Sequence, residues 1–171
     1  RWWTPPSPWA DYIASLGHEL LDRERPFVWS GDLNGIFGKT SDWRTGGRNL
    51  YDYLVPPRCP DRRVPPEETV VITHSHGLQV ALYAAAYGLK IAKLIDICGP
   101  VRMDVMPREA RANITEWIHI RAGREDWWQW LGATGRGRFR VYRAHPWADR
   151  NVKVPGAGHS GVIRDPRFFH H

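Results

Sequence analysis

Thr69-Val70-Val71-Ile72-Thr73-His74-Ser75-His76-Gly77-Leu78-Gln79-Val80-Ala81-Leu82-Tyr83 is the stretch from which the fold is read most directly. A β-branched apolar run stops at a serine between turn-tolerant residues, and an alanine-rich stretch starts at once and closes at Gly88. β-branched side chains suit a pleated strand, and alanine and leucine suit a helix. The expected structure is a strand, a sharp turn with Ser75 at its apex, and a helix. Such a turn pushes the hydroxyl out of the sheet. The helix N-terminus behind it favours negative charge developing in front of it. The plain alternative is that Ser75 is an N-cap, a position that serine favours anyway.

Working outward, strands alternate with helices. Ser7 and Pro8 form an N-cap and first-turn pair, after which Trp9, Tyr12, Ile13, Leu16 and Leu20 recur at helical spacing. His18 falls on that predicted helix. Phe27-Val28-Trp29 reads as a short strand, Ser30 to Thr45 as a Gly/Asn/Asp loop, and Leu50, Tyr51 and Leu54 as a short helix closed by Pro56-Pro57. Arg58 to Pro66 is a proline- and arginine-rich loop. Strands are expected at Ile91 to Cys98, Glu116 to Arg121 and Phe139 to Arg143, with a loop and helical turn at Met103 to Ile114. Alternation of this kind predicts a mostly parallel sheet covered by helices on both faces, a three-layer α/β/α domain spanning residues 1–171.

Thr73-His74-Ser75-His76-Gly77 resembles the Gly-x-Ser-x-Gly nucleophile elbow of the α/β-hydrolase family, with the second glycine kept and Thr73 in place of the first. The resemblance implies a minimal member without a cap domain, similar to small esterases and lipases. In that family a serine, an acid and a histidine follow one another, each partner on a loop after a later strand. Gly123-Arg124-Glu125-Asp126 has the family's Gly-x-x-Asp spacing, and Pro155-Gly156-Ala157-Gly158-His159 is a Gly-His segment near the C-terminus. The implied triad is therefore Ser75, Asp126 and His159, with the His76 amide as one oxyanion donor. Trp127 and Trp128 beside the acid, together with Trp3, are the implied lining of an apolar acyl pocket. The implied substrate is a small-molecule or lipid ester, with no metal and no organic cofactor. The family's strand ending in His-Gly, whose loop gives the second oxyanion donor, is not found before the 27–29 segment. An N-terminal strand is accordingly expected to be missing from this chain.

Three residue types meet the needs of acyl transfer. A serine hydroxyl is a poor nucleophile at neutral pH and needs a base. Histidine takes the proton and returns it, and a carboxylate on its far nitrogen fixes the tautomer. Glu125 and Asp149 compete with Asp126 for the acid, and His145, His119 and His18 compete with His159 for the base. His119 lies inside a predicted strand and is expected to be a packed or surface residue.

Two other classes fit parts of the sequence. His74 and His76 also match the first half of a His-x-His-x-Asp-His metallohydrolase signature, but Leu78 and Gln79 stand where its Asp and His belong. A basic nucleic-acid-binding module is the non-enzymatic alternative. The net charge is +6, with 20 arginines to 4 lysines, and Arg136-Gly137-Arg138-Phe139-Arg140 and Arg58 to Arg63 are basic clusters. These charges are spread along the chain and form no recognised nucleic-acid motif, so no nucleic-acid partner is expected. No stretch approaches a ~20-residue membrane span, and there is no signal-peptide pattern, so a cytoplasmic protein without stable membrane insertion is expected. Cys59 and Cys98 have no metal-ligand spacing and read as unpaired thiols.

Overall fold

Four parallel strands carry the site in the computed structural model, which describes residues 7–21, 27, 29, 40–55, 64–123 and 144–164. They are β1 (Val70–His74), β2 (Ile91–Ile97), β3 (Ile114–Ala122) and β4 (Arg150–Val154), in the sheet order β1-β2-β3-β4. Registers run straight across: Thr73 faces Asp96, Asp96 faces His119, and His119 faces Asn151. Because alternate residues point to opposite faces, these four share one face, and His74, Ile97, Ile120 and Val152 share the other.

The first face is covered by α2 (Thr40–Leu54) and α3 (Gly77–Ala86). Residues Leu78 to Ala85 of α3 are all buried, as expected of a helix that is apolar around its whole circumference. They join Trp43, Leu50 and Leu54 of α2 with Leu94 and Trp117 of the sheet. Gly47 explains how closely the helices approach: a Cβ there would lie 2.5 Å from Tyr83 Cβ and 2.9 Å from the Ala84 nitrogen. The second face is met by α1 (Pro8–Ser15), whose Trp9 and Ile13 pack with Ile97, Ile120, Val154, Val162 and Ile163. Trp9 Nε1 donates to the Ile163 carbonyl, tying the first helix to the far end of the described chain.

The expected α1 forms with Ser7 as its cap, the Ser7 Oγ accepting from the Ala10 N–H at 3.1 Å. It ends at Ser15, so His18 and Leu20 lie beyond it rather than on it. Helix α2 begins at Thr40, inside the stretch read as a loop. Phe27 and Trp29 join no strand, and Val28 lies outside the described residues. Strand β4 was not anticipated, and the expected strand at Phe139 to Arg143 lies outside the described residues. No helix among the described residues is long and apolar enough to cross a membrane.

Candidate active site

Ser75 stands between β1 and α3 with φ 54°. That is the left-handed region, which a residue with a Cβ occupies only when its surroundings hold it there, at a cost of about 1–3 kcal/mol. An N-cap has extended backbone angles instead, and α3 is in fact capped by His76 with no side-chain hydrogen bond. The turn is held from β2: the Ser75 N–H donates to the Ile97 carbonyl at 2.9 Å. The next two bonds are tight turns, Leu78 N–H to the Ser75 carbonyl and Gln79 N–H to the His76 carbonyl. These leave the N–H groups of His76 and Gly77 without an acceptor among the described residues.

Three histidines surround the turn. The His74 Nε2–H donates to the His159 carbonyl at 3.1 Å, and the two rings lie 4.7 Å apart. His159 thus comes to the elbow from the segment after β4. The His76 ring is stacked on Trp43 of α2, with centroids 5.4 Å apart. Burial, then the His159 and Arg102 charges, push the His76 pKa down to about 4. His76 is thus neutral but too weak a base for proton transfer near pH 7, where a catalytic group works best with a pKa close to the ambient pH. The Ser75 hydroxyl has no hydrogen bond to a described residue.

Two of the competing histidines are occupied elsewhere, and the third, His18, is exposed beyond α1. His145 is enclosed by Trp117, Met106 and Trp147, and burial together with the His119 charge lowers its pKa to about 3. His119 is a buried strand residue whose Nδ1–H donates to Asp96 Oδ2 at 2.6 Å. The Asp96–His119 pair went unremarked in the sequence, because residues 23 apart met only once the β2–β3 register was known.

Asp149 is likewise committed. Its carboxylate accepts from the Trp117 N–H at 2.8 Å and from Arg111 at 2.6 Å. Trp117 is level with Leu94 and Val71 in the sheet, four residues before the Ser75 level. At about 3.3 Å per residue Asp149 is roughly 13 Å from the elbow end of the sheet. The segment leading to Asp126 instead leaves β3 at Ala122, on the same edge as Ser75 and His159. Asp126 itself lies outside the described residues, as do Glu125, Trp3, Trp127, Trp128, Cys59 and both arginine clusters. Cys98 is buried. His74 and His76 turn to different partners, and no group of three or more His, Cys, Asp or Glu side chains among the described residues is placed to share a metal ion.

The chain matches no protein-family model and no curated protein. Its chemistry is therefore argued from the geometry above.

Proposed function

We propose that this chain is a serine hydrolase of the α/β-hydrolase type, a minimal three-layer domain without a cap, which cleaves carboxylic esters through an acyl-enzyme on Ser75. The observation that carries the reading is the left-handed backbone of Ser75 at a strand-to-helix junction on the carboxyl edge of a parallel sheet. Ligands of open α/β sheets bind at that edge. A strained non-glycine residue there is an argument for function, since a glycine would sit in the turn at lower cost.

In this mechanism the Ser75 oxygen attacks the ester carbonyl carbon while its proton passes to His159. The resulting oxyanion is met by the His76 N–H, helped by the α3 N-terminus. Collapse breaks the bond to the alcohol, which leaves with the proton from His159. A water then repeats the sequence and frees Ser75. Asp126 orients His159, and Trp3, Trp127 and Trp128 line the acyl pocket. The Ser75–His159 contact forms in the substrate complex, since catalytic hydrogen bonds are often open in the free enzyme.

The test is labelling with a fluorophosphonate probe followed by peptide mapping. The expected product is a single adduct on Ser75, lost in Ser75→Ala. An adduct elsewhere, or none, rejects the serine mechanism.

A further inference from the structure

Asp96 and His119 form a carboxylate–imidazole pair with 0% and 2% of their side-chain surfaces exposed, on the α3 side of the sheet. Burying a carboxylate is costly unless it is paired, and natural proteins rarely do so without a reason. The mechanism above makes no use of this pair, yet its place in the fold is specific. Asp96 precedes Ile97, whose carbonyl holds the Ser75 N–H. Cys98 follows with φ 52°, and its N–H donates to the Ile120 carbonyl at 2.7 Å. Gly99 then passes so close to Asp96 that a Cβ there would collide with Asp96 Oδ1 and come 2.7 Å from Leu78 in the first turn of α3.

Among the described residues Asp96 Oδ1 has no partner, nor does the buried Thr73 Oγ1 on the adjoining strand. Among the described residues the carboxylate is therefore held by a single hydrogen bond, the one to His119. We propose that Asp96 and His119 are positioning residues for Ser75. By tying the end of β2 to β3, the pair fixes the Ile97 carbonyl and so keeps the elbow in its left-handed conformation. The role rests on the serine-hydrolase reading, but its structural half does not. A loose Ile97 carbonyl would release the Ser75 amide whatever the chemistry.

The experiment compares His119→Asn, which can still donate from the position of Nδ1, with His119→Leu, which cannot. A double variant, Asp96→Asn with His119→Leu, removes the buried charge along with the donor, so it folds even if His119→Leu alone does not. Each is measured well below its own melting temperature, by fluorophosphonate labelling rate, by kcat and KM on a p-nitrophenyl ester, and by hydrogen exchange at the Ser75 amide.

His119→Asn should label within about threefold of wild type. The double variant should label about 10- to 100-fold more slowly, with kcat lowered and KM little changed, since an ångström of misplacement can cost about that much. Its Ser75 amide should exchange at least about tenfold faster. A folded double variant with wild-type labelling and wild-type exchange overturns the proposal and leaves the hydrolase reading intact. If wild type takes no label, the hydrolase reading fails, and the exchange rates alone then decide whether the pair holds the elbow.

Discussion

His119 and His145 are enclosed on the α3 side of the sheet beside Asp96, whereas His74, His76 and His159 gather around Ser75 at its half-open carboxyl edge. The side chains are alike, and their surroundings set them apart. Three of the four ring nitrogens of the enclosed pair are spent on Asp96, Met106 and the Trp147 N–H. Its members act on the fold. At the open edge the rings are only partly covered, and there the proposed mechanism exchanges a proton with the substrate. His76 falls between the two, at the open edge yet pressed against Trp43 and kept neutral. In the proposed mechanism only its amide takes part.

The largest test of this contrast is at Ser75. Ser75→Ala should lower ester turnover by at least about 10³-fold, because triad members act as a unit. Its melting temperature should stay within about 2 °C of wild type, since alanine meets the same backbone strain. A large fall in melting temperature would place Ser75 with the structural group. On the enclosed side, His119→Ala should cost about 3–5 kcal/mol in urea unfolding, the penalty for leaving a buried carboxylate unpaired. A cost below about 1 kcal/mol would show that the Asp96–His119 hydrogen bond contributes little to the fold.

Next in size is the response to acid. His145 has its pKa lowered to about 3 in the fold from 6.5, so the unfolded chain binds the proton more readily. Its contribution to stability is complete above pH 6.5 and is lost as the pH falls toward 3. Urea midpoints should drop between pH 6.5 and 4 in wild type and drop less steeply in His145→Phe. Equal slopes would mean that His145 carries its proton in the folded protein. The smallest effect belongs to Asp149→Asn. The amide oxygen keeps the Trp117 bond and gives up only a half-exposed ion pair with Arg111, so stability should change by about 1 kcal/mol or less. Turnover should stay within about twofold, and a steep loss would make Asp149 the triad acid.

The elbow was legible because its signal is local. A β-branched run cut by a serine and followed by alanines leaves few other structures, and the Ser7-Pro8 cap at α1 is equally local. Helix α2 was half hidden. Its first turns fall in the stretch read as a loop, and Gly46 and Gly47 inside it disfavour a helix by propensity, yet they are small because α3 passes over them, so tertiary contact outweighs propensity. β4 ends the sheet among the described residues, with exposed Arg150, Asn151 and Lys153 and only Val154 fully buried, a composition that guards against edge pairing and resembles a loop. The Asp96–His119 pair needed the register itself.

The bond from Trp9 to Ile163 has a consequence for the order in which the chain assembles. During synthesis the buried cluster of Trp43, Leu78, Leu94 and Trp117 has every member once residue 117 has emerged. Trp9 and Ile13 must wait for Val162 and Ile163. At roughly 5–20 residues per second that wait lasts about 2–9 s, during which α1 has Ile97 and Ile120 to pack on but lacks the cover of Val162 and Ile163. His159 arrives with this late half, so the nascent chain shapes the Ser75 turn several seconds before the histidine proposed as its base can reach it.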